Sequence, residues 1–216
     1  MVDQLRKFRD RLRIIIILYT FCERSPGDNL KIYGVFRTEI RIQALDFLLR
    51  YPDFLSAELM NLLEENSSFD RNEVKITIEN IYQNREPEIR VEEMEKFFHG
   101  AYESIDEVIA YLVSVGFIQH DSKKRTDGKT YDKNYFITKS CADKIDSNLK
   151  KIPSVKWYFD RCELIKKYFN QFSGTDLKTR QYRYSEYSNI SYKTHIQNVN
   201  DRVRQKFAKI FNEQLK

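Results

Sequence analysis

The 216-residue chain has 41% hydrophobic and 32% charged side chains, with 6 Gly and 4 Pro. That is enough apolar material for a sizeable core and too much for disorder, and it points to a mostly helical globular protein. Three cysteines, Cys22, Cys141 and Cys162, are odd in number and widely spaced, so they form neither a disulfide framework nor a metal-ligand spacing. The longest apolar run, residues 14–19, is far short of a membrane span, and no small-residue cleavage site follows it. The expectation is a cytoplasmic protein without cofactor or metal.

Residues 3–23 place Leu5, Phe8, Leu12, Ile15, Tyr19 and Cys22 at alternating spacings of three and four, an amphipathic helix with a heptad-like stripe. Ile14, Ile16 and Ile17 widen that stripe, so the second half should be buried on most sides, as a core helix rather than a partner-binding one. Arg6, Lys7, Arg9, Arg11 and Arg13 are expected as solvated cations on the other face. A turn at residues 25–28 precedes a helix from about Phe36 to Arg50, which Tyr51-Pro52 ends. Asp53 is the expected N-cap of the next helix, with Leu55, Leu59, Leu62 and Leu63 inward and a break at residues 66–68. Residues 70–84 carry a helical set, Val74, Ile76, Ile78, Ile81 and Tyr82, yet Val74-Lys75-Ile76-Thr77-Ile78 alternates like a strand. Pro87 should start an extended piece to Arg90, followed by a helix over 91–98 and a turn at His99-Gly100-Ala101.

Residues 102–145 carry the clearest pattern. Ser104 is a plausible N-cap, Asp106 and Glu107 suit a first helical turn, and Ile105, Val108, Ile109, Leu112 and Val113 recur at helical spacing. Gly116 stops the helix. Residues 117–120 and 135–137 read as strands around a turn at Asp127-Gly128, and Thr138 or Ser140 can cap a further helix. Helix, glycine, strand, basic loop, strand, helix is the order of the second half of a winged-helix unit. Residues 150–153 mark a boundary. Beyond it come an aromatic helix over 155–172, a polar loop over 173–178, a Tyr- and Arg-rich segment over 179–195, and a last helix with Val199, Val203, Phe207, Ile210 and Phe211 inward. The expected architecture is mainly α with a small β-hairpin: a helical and winged-helix domain over 1–150, including an added N-terminal helix, and a helical extension over 151–216.

The net charge of +5 is unevenly distributed. Residues 1–119 hold 15 Lys+Arg against 21 Asp+Glu, a net of −6, and residues 120–216 hold 22 against 11, a net of +11. Different partners for the two ends are expected, and any nucleic acid should touch the basic one. No phosphate-cradling glycine loop or nucleophile motif occurs, and His99, His120 and His195 are far apart, so no enzyme is expected. Lys123, Lys124, Arg125, Lys129 and Lys133 cluster around the turn. They suit phosphate contact, and equally a hairpin edge kept soluble by charge. The helix before them offers Glu103, Asp106 and Glu107 and no cation over 104–116, which disfavours base reading. Arg180, Tyr182, Arg183, Tyr184, Tyr187 and Tyr192 suit a protein interface, or stacking on single strands.

Residues 42–60, IQALDFLLRYPDFLSAELM, together with the N-terminal apolar helix and the VGFI…YFITKSCADKI segment, resemble the middle component of prokaryotic ABC-three-component systems, a group that includes the Lamassu antiphage systems. The resemblance covers about residues 5–145 and rests on apolar positions plus Asp46, Arg50 and Pro52. It implies a small non-catalytic subunit that joins an SMC/Rad50-like ATPase to an effector, often a nuclease, and helps hold the effector inactive until foreign DNA is sensed. Its implied partners are those two proteins; non-specific double-stranded DNA at the wing, and no membrane, are the expectations from the residues themselves. The alternative is a stand-alone winged-helix transcriptional regulator.

Overall fold

The computed structural model describes residues 2–25, 31–66, 68–97, 100–101, 104–124 and 130–215; of residues 2, 3, 96, 97, 100, 101, 123, 124 and 130–132 it describes the backbone alone. The chain is mainly helical with a four-stranded antiparallel sheet. It divides into two compact units, residues 1–46 with 104–177, and residues 47–103 with 178–216. Both units are discontinuous in sequence.

The first unit opens with α1 (Val2–Phe21), β1 (Glu23–Arg24) and β2 (Ile32–Arg37), and the first residues of α2 (Glu39–Arg50). It resumes with α6 (Asp106–Ser114), β5 (Ile118–Lys124), β6 (Thr130–Thr138), α7 (Lys139–Ser147), a 3-10 turn (Leu149–Lys151) and α8 (Pro153–Phe169), and ends inside α9 (Gly174–Gln181). The strands run in the order β1-β2-β6-β5, with Phe36 opposite Tyr135 and Ile118 opposite Ile137. Strand β2 was not expected. Its inward residues Ile32, Gly34 and Phe36 alternate with half-buried Tyr33 and Val35, the period of a strand. Phe36 therefore belongs to the sheet, and the helix begins only at Glu39, after Thr38 turns the chain with φ 69°. At Gly34 a Cβ would lie 2.6 Å from Cys22 Sγ and 2.8 Å from the Glu23 carbonyl, so the β1–β2 approach requires glycine.

Residues 14–18 of α1 are all buried. A helix apolar on every side must be wrapped, and α1 packs against α6, α8, β2 and β6. Arg13 departs from the expected solvated face. It is 2% exposed, and its Nε donates to Asp46 Oδ1 at 2.8 Å while Nη2 donates to Asp10 Oδ1 at 2.7 Å. Lys166 Nζ donates to the Thr20 carbonyl at 2.6 Å and Arg41 to the Asn170 carbonyl at 2.9 Å, so cations from other elements satisfy the C-terminal ends of α1 and α8.

The second unit holds the end of α2, then α3 (Pro52–Glu65), α4 (Arg71–Gln83), α5 (Glu86–Ile89), the short pair β3 (Lys96–Phe97) and β4 (Gly100–Ala101), the end of α9, α10 (Ser185–Ser188) and α11 (Asn200–Phe211). Tyr51, not Asp53, stands at the cap of α3, with Pro52 as first helical residue. Asp53 is fully buried and accepts from Val199 N at 2.7 Å. Residues 71–83 form a helix, capped by Asp70 accepting from Glu73 N at 2.9 Å; the strand-like alternation leaves Ile76 outside. Pro87 lies within α5, not in an extended piece. Residues 91–95 are not helical, because their backbone groups are bonded elsewhere. Arg50 donates to the carbonyls of Glu92 and Glu93 at 2.8 and 2.7 Å, Met94 N donates to Tyr51 Oη at 2.7 Å, and Ile196 N donates to the Met94 carbonyl at 3.1 Å. The expected loop over 173–178 is mostly α9. Ser173 Oγ accepts from Asp176 N and Asp176 accepts from Ser173 N, a reciprocal capping box. Among the described residues no helix is long and apolar enough to cross a membrane.

Arg13→Ala removes the guanidinium paired with the buried Asp46 carboxylate, and is expected to cost about 3–5 kcal/mol in urea unfolding. Arg13→Met with Asp46→Leu should recover most of that loss; a single variant within about 0.5 kcal/mol of the parent contradicts the buried pairing. Burial holds the Asp53 carboxyl above its ordinary value of 3.8. The folded chain thus binds that proton more tightly than the unfolded one, and the contribution to stability is lost as pH rises through the raised value. Asp53→Asn should match the native urea midpoint near about pH 3 and exceed it near about pH 7.

Candidate functional site

Helix α6 and the hairpin that follows are set by local chemistry. The helix ends in a Schellman motif: Gly116 has φ 71°, its N–H bonds the Val113 carbonyl at 3.0 Å, and Phe117 N bonds the Leu112 carbonyl at 2.9 Å. Ser104 falls one residue short of the cap, and its Oγ accepts only a long bond from Asp106 N at 3.4 Å. Thr138 joins the pieces. Its N–H donates to the Phe117 carbonyl, its Oγ1 donates to the Gly116 carbonyl at 2.9 Å, and the same Oγ1 caps α7 by accepting from Cys141 N at 3.2 Å. Ile105, Ile109 and Leu112 are buried, whereas Tyr111, Val113 and Val115 are exposed beside Asp106 and Glu107. The outward face of α6 is therefore apolar and acidic.

Of the five hairpin cations, Lys123 and Lys124 close β5, opposite Tyr131 and Thr130. Arg125 and Lys129 lie outside the described residues, as do the Asp127-Gly128 turn and Glu103. Lys133 is drawn inward: its ammonium pairs with Glu39 and lies 3.9 Å from Asp106. Carboxylates compete with any phosphate for this lysine.

The Tyr- and Arg-rich segment is mostly turned into the second unit. Arg180, Tyr184 and Tyr187 are buried. Arg180 pairs with Glu58 through Nε and with Glu65 through Nη1 at 2.7 Å, and Tyr184 Oη donates to Glu58 Oε1 at 2.6 Å while accepting from Asn61. Arg183 pairs with Glu65 at 2.6 Å. Burial first, and then the Glu58 carboxylate, push the Tyr184 hydroxyl far up, so it stays a donor. Tyr182 and Tyr192 are exposed. The partners on α3 were not anticipated. Glu58, Asn61 and Glu65 recur at spacings of three and four, a polar stripe on α3 that matches the basic segment.

Other chemistry is dispersed. His120 stacks on Tyr135, His195 lies 3.5 Å from the Glu93 carboxylate, and His99 is outside the described residues. Burial pushes the Cys141 thiol up to about 12 and Cys162 higher still, which holds both as neutral thiols. Among the described residues no group of three His, Cys, Asp or Glu side chains is arranged to hold a metal. Comparison of the chain with protein-family models, with curated proteins and with solved structures finds no match.

Arg180→Ala leaves the buried Glu58 carboxylate without its cation, with Tyr184 and Asn61 still donating to it, and should cost about 3 kcal/mol in equilibrium unfolding. Tyr192→Ala, at the exposed end of the same segment, should stay within about 0.5 kcal/mol. Equal effects would remove the distinction between an inward and an outward end.

Proposed function

We propose that this chain is a non-catalytic accessory subunit of an antiphage defence complex, similar to the middle component of ABC-three-component systems, that bridges an SMC/Rad50-like ATPase and a nuclease effector. The observation that carries the reading is the outward face of α6. In a DNA-reading winged helix that face would present Arg, Asn, Gln or Ser to base edges. Here it presents Tyr111, Val113 and, at the C-cap, Val115 beside Asp106 and Glu107, and its one such residue, Ser114, donates its hydroxyl to the Tyr111 carbonyl at 2.8 Å; the face suits protein and repels phosphate.

The winged-helix part of the proposal is supported by element order. The sequence α1, β2, α2, then α6, β5, β6, with β6 between β2 and β5, is helix, strand, helix, helix, strand, strand with the first strand pairing the last. On this reading residues 51–105, from the end of α2 to the start of α6, are an insertion between the second and third helices of the winged helix. The hairpin cations then serve phosphates without reading sequence, a contact that gives affinity and salt dependence only. The alternative, a stand-alone regulator, shares the topology but needs a preferred DNA site.

Selection from random double-stranded DNA should return no consensus, and affinity should fall steeply with salt. Charge reversal at Lys123, Lys124 and Arg125 should weaken binding alike on all sequences and reduce the salt slope by about 2–3. Lys133→Ala, removing a lysine already held by Glu39, should change little. A consensus site whose binding survives about 150 mM salt would establish the regulator instead.

A further inference from the structure

The backbone sets Lys133 of the hairpin against two carboxylates. Strand β2 ends with Arg37 opposite Asn134 on β6. Thr38, with φ 69°, turns the chain into α2, and its N–H donates to the Lys133 carbonyl at 3.0 Å. Glu39, the first residue of α2, therefore stands beside Lys133, where its carboxylate also opposes the dipole of α2. Both of its oxygens are engaged: Oε1 accepts from Gln43 Nε2 at 3.2 Å, and Oε2 accepts from the Lys133 ammonium. Asp106, in the first turn of α6, lies 3.9 Å from the same ammonium and accepts through its other oxygen from Ser104 Oγ at 3.2 Å. The Lys133 side chain is 26% exposed and that of Glu39 13%, so salt screens this pair less than it screens a surface pair.

From this arrangement we infer that Glu39, seconded by Asp106, is an autoinhibitory clasp: it fills the place of a DNA phosphate on Lys133 and holds the non-specific duplex affinity of the hairpin below what its cations would otherwise give. An ammonium meets a carboxylate oxygen much as it meets a phosphate oxygen, with a charge-assisted hydrogen bond. A lysine already neutralised by its own chain has no counterion to release when a phosphate approaches, and counterion release is the source of affinity in contacts of this kind. The local sum is one cation against two carboxylates, a net of −1, which repels phosphate. Glu39→Gln brings that sum to zero. It leaves Asp106, farther away and 74% exposed, as the competitor for the ammonium.

The clasp rests on the reading of the hairpin as a phosphate contact, and deepens it by naming the residue that limits that contact. A double-mutant cycle tests it, read by fluorescence anisotropy of the full chain on a labelled random-sequence duplex of about 20 base pairs over a series of salt concentrations. Glu39→Gln keeps an acceptor for Gln43. It should bind at least about threefold more tightly near about 50 mM salt, with a salt slope steeper by about 1, the mark of one more neutralised phosphate. In a Lys133→Ala background the same substitution should give less than about half of that gain on a logarithmic scale, because the cation it unmasks is gone. Asp106→Asn, at an exposed side chain, should give a smaller gain that also needs Lys133, and it carries the test alone if Glu39→Gln lowers the circular-dichroism melt. No gain from either variant, or an equal gain without Lys133, would overturn the clasp. Charge reversal at Lys123, Lys124 and Arg125 separates the two levels of the account. If the reversal weakens binding while Glu39→Gln and Asp106→Asn do nothing, the hairpin contacts phosphate and the clasp alone fails. If neither the parent nor Glu39→Gln binds duplex, both fail.

Discussion

Residues 14–18 of α1 set the terms for the first unit. Five consecutive apolar residues on a helix face every direction, and water must be kept from all of them. No single neighbouring element can do this, so two stretches separated by 57 residues, 47–103, gather around the helix: β2 before the gap, and α6, β6 and α8 after it. Arg13 stands at the edge of this packed segment. Once α1 is wrapped it is buried as well, and Asp46 is the carboxylate that makes its burial tolerable. Lys166 closes the other end of the same helix. The sheet and the helices of this unit thus follow from one apolar run and the charged groups that terminate it.

The second unit is organised by charge. Residues 47–103 hold six basic against thirteen acidic residues, a net of −7, and residues 178–216 hold nine against three, a net of +6. These segments form one compact unit and neutralise each other. Glu58 and Glu65 take Arg180, Glu65 also takes Arg183, Glu64 takes Lys206 at 2.6 Å, and Lys75 takes Glu213 at 2.6 Å. The acidic and basic ends of the chain therefore serve, in large part, as internal complements. The buried members define the register of that packing, and the exposed ones add little to stability.

What could be read in advance was local. Gly116 as helix stop, Thr138 as cap and the hairpin after α6 each depend on residues within one or two turns, and each is legible from residue type alone. The capping box at Ser173 and Asp176 was equally legible and predicts α9, although the polar composition of the stretch suggests a loop. Features set by distant partners were not legible. Residues 91–95 have helical composition, but Arg50 and Tyr51, more than forty residues earlier, take their backbone groups. The cation cluster of the hairpin is plain in the sequence, whereas the capture of Lys133 by Glu39, 94 positions away, is not. Tyr and Arg enrichment over 180–192 signals contact without saying with whom; a polar stripe on α3 takes most of it.

The outward side of α6 and its C-cap carries exposed Tyr111, Val113 and Val115 beside Asp106 and Glu107. The most direct measurement is purification of the tagged chain expressed from its own locus with its neighbouring genes intact, followed by mass spectrometry and mass photometry. The predicted result is a defined complex containing an SMC/Rad50-like ATPase and an effector nuclease, from which the nuclease dissociates when this chain is deleted. Recovery of the chain alone, as a stable monomer that selects one DNA sequence, would contradict the bridging role.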